Sequence, residues 1–159
     1  MLRELLLKRD PATGRSYVEE GRHAIPWNGE LLNTPQGVSE FARKVLRTET
    51  FAEEQVYLIA LDTKCRPIGY FQVSKGTISS SVVTPRECLV LGFLTGAASL
   101  ILFHNHPSGD PTPSVEDYIS FERCQKAGEL VGVSFLDHVV VGDSGRYVSM
   151  RETELRKDG

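Results

Sequence analysis

The sequence has few cysteines, no long apolar run and no excess of positive charge. Each of these absences excludes a class of protein. Its three cysteines are widely spaced and form no CxxC pair, which argues against a disulfide framework and favours a reducing compartment. No apolar run reaches the roughly 20 residues that a membrane span needs. Residues 1–9 lack the apolar core and the cleavage site of a signal peptide. These absences predict a cytoplasmic protein that does not bind membranes.

The charge balance gives little support to a nucleic-acid partner. The chain has 18 basic and 21 acidic residues, which gives a net charge of −3. Proteins that bind nucleic acid mainly through phosphates are usually basic, because they gain affinity by releasing counterions. Binding of nucleic acid through a local basic patch stays open. The sequence does not indicate the oligomeric state.

The 159 residues suit one domain with one core, preceded by a short segment that is difficult to interpret. Residues 1–33 contain turn-forming glycines and prolines and show no clear periodicity. We expect them to be an irregular N-terminal lead-in, packed on the core through Trp27. Residues 34–159 are expected to form the functional domain.

The domain alternates between helical and strand patterns. Thr34 and Pro35 begin a helix that ends near Arg47. The patterns that follow predict a hairpin at 55–61 and 68–73, a strand at 79–83, an apolar helix at 85–97, a strand at 99–103, a helix at 115–129, and strands at 133–141 and 146–150. The predicted fold is therefore α/β of the α+β type, with a mixed, largely antiparallel sheet and one buried helix.

Two histidines follow the apolar strand at 99–103. Side chains at positions i and i+2 of a strand point to the same side, so His104 and His106 converge while Asn105 points away. Pro107 then stops the strand, because proline cannot donate to the ladder. His23 and His138 lack such a context, and we expect both to be structural.

A short loop, stiffened by Pro111 and Pro113, separates the histidines from the next helix. Ser114 is the expected N-cap of that helix, and Asp117 lies in its first turn. Asp117 has a structural explanation, since it can complete a capping box or favour the helix dipole. It also fits a second role, because two histidines and one carboxylate with a free fourth position form an open catalytic zinc site.

The sequence of this stretch resembles the motif of a known family. HxHP, six residues and then SxxD form the JAMM motif of the JAB/MPN metalloprotease superfamily. HNHPSGDPTPS, with TPRE upstream and LDHVVVGD downstream, resembles the RadC family over roughly residues 34–152. The resemblance implies a cytidine-deaminase-like JAB/MPN fold, and it implies zinc bound by His104, His106 and Asp117.

The resemblance also implies two catalytic residues. Glu54, just before an apolar strand, matches the superfamily glutamate that takes a proton from the zinc-bound water, and Glu53 is its exposed neighbour. Ser114 matches the serine that helps to stabilise the oxyanion, and it can also cap the helix. Two features depart from related patterns: Asn105 stands where deubiquitinating members have Ser or Thr, and no helix-hairpin-helix segment is evident before residue 34.

Three functions therefore remain in competition. The first is a zinc-dependent hydrolase of peptide or isopeptide bonds, acting on an unidentified protein or peptide. The second is an accessory protein of DNA repair or recombination, as the RadC name implies. The third is a zinc-containing interaction domain without turnover. The presence of the complete set of motif residues argues against it: Glu54, His104, His106, Asp117 and Ser114.

Overall fold

The computed structural model describes residues 1–27, 32–76 and 83–157, which form one mixed sheet and the helices around it. The strands are β1 (Leu2–Arg9), β2 (Ser16–Ile25), β3 (Glu54–Leu61), β4 (Pro67–Gly76), β5 (Ser99–Asn105), β6 (Ser134–Val141) and β7 (Tyr147–Ser149). The α-helices are α1 (Pro35–Phe41), α2 (Pro85–Thr95), α3 (Val115–Val131) and α4 (Met150–Lys157). In these residues no helix is both long and apolar enough to cross a membrane.

The strand order is β2-β1-β4-β3-β5-β6-β7, and most neighbours are antiparallel. The parallel pairs are β1 with β4 and β5 with β6. This arrangement confirms the predicted mixed α/β fold and its largely antiparallel sheet. All seven residues of β5 are buried, as expected for a continuous apolar strand inside a sheet.

Two hydrophobic clusters lie on opposite faces of the sheet. Alternate residues of β3 enter one or the other, because successive strand side chains point to opposite faces. One cluster joins Val56, Leu58 and Ala60 of β3 to buried residues of α2 and α3, and the other joins the intervening residues of β3 to α1. Leu100 and Leu102 of β5 belong to the first cluster, so His104 lies on the face that carries α2 and α3.

The prediction that residues 1–33 are irregular is wrong, because β1 and β2 form an antiparallel hairpin in the sheet. A β-bulge between Arg3 and Leu5 shifts the register, so Leu2 and Leu5 are both buried although they are three residues apart. In β2 only Gly21 is fully buried. Neither strand therefore shows the alternation that signals a half-buried strand. Trp27 does pack on the core, edge-to-face with Phe41 at 5.3 Å between ring centroids.

Two further predictions concern the segment between β4 and β5. The prediction of a helix buried on most sides is wrong for α2, because Phe93 and Leu94 are 56% and 42% exposed and only one face enters the core. The predicted strand at 79–83 falls almost entirely outside the described residues. The first predicted helix is present, but it continues beyond α1 as a π-helical turn over Ala42–Leu46.

Candidate metal centre

The ends of β3 and β5 bring Glu54 and His104 together. The two strands are antiparallel, and Val56 pairs with His104 in their register. Glu54 lies two residues before Val56 and therefore on the same face. The Oε1 atom of Glu54 is 3.7 Å from Nε2 of His104. The imidazole is 1% exposed and the carboxylate 36%, so an acid group at the surface faces a buried ring.

His106 is held by the loop that follows β5. Its Nδ1 donates to the backbone carbonyl of Asp110 at 2.8 Å. The loop turns at Gly109, whose φ of +87° is in the left-handed region and whose Cα has no room for a Cβ against Asp143. Arg146 donates to the carbonyl of Gly109 at 2.9 Å. The loop is thus fixed to the turn between β6 and β7, and Nε2 of His106 points to His104.

The first turn of α3 supplies the carboxylate. Ser114 accepts a hydrogen bond from the backbone N–H of Asp117 at 3.0 Å, and its own N–H donates to Oδ2 of Asp117 at 2.9 Å. This is the predicted capping box. The same Oδ2 lies 3.4 Å from Nε2 of His104 and 3.7 Å from Nε2 of His106. The capping box therefore orients the carboxylate toward both histidines.

The three atoms match one face of a tetrahedral metal site. Zinc lies about 2.0–2.2 Å from nitrogen and oxygen ligands, so neighbouring ligand atoms are about 3.3–3.5 Å apart. The two Nε2 atoms are 3.1 Å apart, and Oδ2 of Asp117 completes a triangle with sides of 3.1, 3.4 and 3.7 Å. Possible ligand atoms of Glu54, His104 and His106 also lie within 4.8 Å of one another. The site fits a metal ion.

The groups around Asp117 keep its carboxylate in the charged form that a metal ligand needs. Burial by itself would raise the pKa of Asp117, but its hydrogen bonds with His104 and His106 outweigh burial and hold the pKa well below the usual range. Contact with Asp117 is also the main cause of the raised pKa of His106. Burial and the neighbouring His104 lower the pKa of His138 well below its usual value. Asp117 is therefore ionised and His138 neutral near pH 7.

Of the residues proposed from the sequence, Glu54, His104, His106 and Asp117 come together, and the Ser114 hydroxyl is engaged in the helix cap. Glu53 is exposed. Their roles as ligands or catalytic groups stay predictions.

The sequence analysis did not predict the contacts that two residues make at the site. The side chain of Asn105 accepts from the N–H of Gln55 at 2.8 Å and donates to the carbonyl of Glu53 at 3.0 Å, so it holds the backbone on both sides of Glu54. His138 was expected to be structural without a role in the site, but its Nε2 lies 2.6 Å from Nδ1 of His104. Both contacts depend on how neighbouring strands are paired, which only the structure shows.

Comparison with known proteins identifies a family and several relatives that this chain resembles. The family model of the RadC-like JAB domain matches residues 32–155. A UPF0758 protein of Desulfitobacterium hafniense is 36% identical over 141 residues, which cover 87% of this chain and 61% of the relative. A UPF0758 protein of Clostridium acetobutylicum is 41% identical over 124 residues, which cover 78% of this chain and 53% of the relative. The chain thus spans little more than half of these curated relatives.

Proposed function

This chain belongs to the family of RadC-like JAB domains, and on that premise we propose that it is a zinc-dependent hydrolase of peptide or isopeptide bonds. The triangle of His104, His106 and Asp117 carries the proposal. Two imidazoles, one carboxylate and a free fourth position are typical of catalytic zinc sites. The JAB superfamily includes metalloproteases. The proposed substrate is a protein or peptide, and the proposed compartment is the cytoplasm.

Each residue then has a defined task. Zinc, when bound, lowers the pKa of a coordinated water toward about 7 and polarises a carbonyl oxygen. His104, His106 and Asp117 would hold the ion through their mutually facing atoms. Glu54, beside His104 at the open side of the site, would accept a proton from the attacking water and deliver it to the leaving amine. Ser114 would donate a hydrogen bond to the developing oxyanion.

The first test measures metal and turnover together. We expect about one zinc per chain in protein purified without a metal-affinity tag, measured by elemental analysis. Turnover would be sought with libraries of fluorogenic peptides and of isopeptide-linked peptides. Glu54→Gln should keep the zinc and slow hydrolysis by about 10²–10⁴-fold, because glutamine is nearly isosteric but cannot accept the proton.

Glu53→Gln is the matched control, since it makes the same change in the exposed neighbour and should leave both quantities unchanged. Absence of zinc, with no uptake on titration, would refute the metal site. Release of zinc by Glu54→Gln would make Glu54 a ligand and not a base. Loss of turnover in Glu53→Gln alone would move the base to Glu53.

The other two functions predict different results in the same experiments. A zinc-containing interaction domain would hold the metal and hydrolyse nothing in either library. A repair accessory protein would bind a DNA structure with a sub-micromolar Kd at about 150 mM salt, whereas non-specific binding lies at roughly 10⁻⁴–10⁻⁶ M. With a net charge of −3, we expect only the non-specific range.

A further inference from the structure

His138 is a buried histidine in contact with the proposed metal centre. It lies on β6 and is 3% exposed, and its ring packs edge-to-face with Phe121 of α3. Its Nε2 is 2.6 Å from Nδ1 of His104. Its other nitrogen, Nδ1, is buried and has no hydrogen-bond partner among the described residues. A buried polar atom without a partner is costly, so its presence needs a reason.

The two proposed histidine ligands differ in the group that contacts Nδ1, the ring nitrogen that does not face the metal site. Nδ1 of His106 faces the carbonyl of Asp110, which can only accept a hydrogen bond. The proton of neutral His106 must therefore be on Nδ1, which leaves a lone pair on Nε2 for a metal. Nδ1 of His104 faces another imidazole nitrogen, which can either donate or accept. The tautomer of His104 therefore depends on the tautomer of His138.

Two arrangements of the protons are possible in this pair. In the first, His138 donates from Nε2, so Nδ1 of His104 accepts and the proton of His104 is on Nε2, where it blocks a metal. In the second, His104 donates from Nδ1, His138 accepts at Nε2, and Nε2 of His104 is free for the metal. The second arrangement places the proton of His138 on the buried Nδ1 that has no partner.

We propose that His138 is a positioning residue of the metal centre, which accepts a hydrogen bond from Nδ1–H of His104 and so leaves the Nε2 lone pair of His104 free to face the ion. This inference rests on the proposed metal site. It gives the partnerless Nδ1 of His138 a function, because the metal-binding tautomer requires a proton there. Hydrogen bonds of this kind orient histidine ligands in metal sites, and their loss typically costs about 10–100-fold in metal affinity.

The first experiment reads the tautomers directly in the unaltered protein. The ring nitrogens of ¹⁵N-labelled histidines would be assigned by NMR in zinc-free and zinc-loaded protein. We expect both His104 and His138 to carry their protons on Nδ1 when zinc is bound. A zinc-loaded protein in which Nε2 of His138 is protonated would overturn the proposal. This experiment needs no variant to fold.

The second experiment measures zinc affinity by competition with a chelator. His138→Leu removes the acceptor and should weaken binding by about 10–100-fold. His138→Gln places an amide oxygen near the former Nε2 and should restore most of the affinity. A merely space-filling role would favour leucine over glutamine, so the reverse order identifies the hydrogen bond. His23→Gln, at an exposed position on β2, is the control and should bind zinc like the unaltered protein.

The outcomes separate the two proposals. If the unaltered protein takes up no zinc, the proposed metal site fails, and this inference fails with it. If the unaltered protein and a folded His138→Leu variant bind zinc equally well, the metal site stands and the role of His138 is refuted.

Discussion

The site has two halves that are built in different ways. The strand half, Glu54 and His104, is held by contacts between residues distant in the chain: Asn105 reaches back to β3, and His138 reaches across from β6. The loop half, His106 and Asp117, is held mainly by residues three or four positions away. The histidine of the strand half is fully buried, at 1% exposure of its side chain, whereas the side chains of the loop half are each 18% exposed. The two halves should therefore respond differently to the same substitution.

The largest difference is expected between His104→Ala and His106→Ala. Both should lose zinc, because an open site with three ligands has no spare ligand. In zinc-free protein, His104→Ala should lower the free energy of unfolding by about 2–3 kcal/mol, since it leaves a buried cavity and a second unpaired nitrogen on His138. The side chain of His106 is 18% exposed, so the cost there should stay below about 1 kcal/mol.

Chemical denaturation of the two zinc-free variants measures this difference. Equal losses of stability would show that the two histidines contribute equally to folding. That result would contradict the proposed difference between the two halves. Zinc retained by either variant would remove that histidine from the proposed ligand set.

An intermediate effect is expected from Asn105→Ala. The change removes two hydrogen bonds that hold the backbone on both sides of Glu54, and it should cost about 2 kcal/mol of stability. Zinc affinity should hardly change, because the ligands do not depend on this amide. Turnover should fall by up to about 100-fold, since a small displacement of a catalytic group is expensive.

Asn33→Ala provides the control for Asn105→Ala. The buried side-chain oxygen of Asn33 has no hydrogen-bond partner among the described residues, so its removal should leave turnover unchanged. If Asn105→Ala released zinc but kept the rate of the zinc-loaded fraction, the amide would support the ligands and not Glu54.

The same division explains what the sequence could predict. The start of α3 at Ser114, its capping box and the convergence of His104 and His106 depend on residues close together in the chain, and the structure has all three. The contacts of Asn105 and His138 depend on the registers of β5 with β3 and with β6, which spacing does not encode. The hairpin of β1 and β2 escaped prediction because a bulge and an exposed strand hide the alternation.

The smallest difference in stability is expected between two variants of Ser114, where the loop half combines a cap with a proposed catalytic role. Ser114→Ala should cost about 1 kcal/mol, because the N–H of Asp117 loses its acceptor at the start of α3. Ser114→Gly should keep most of the stability, since glycine in place of an N-cap serine costs only about a few tenths of a kcal/mol.

The two Ser114 variants separate the cap from the chemistry. If the hydroxyl also stabilises the oxyanion, both should slow turnover by about 10²–10³-fold, whatever their stability. Turnover would be measured in zinc-loaded protein, with the free energy of unfolding taken from denaturation of the same preparations. Full activity in Ser114→Gly, which has no side-chain donor, would limit Ser114 to the cap. The loop half would then act only by placing Asp117 and His106, and the reacting groups proposed here would all lie on the strand half.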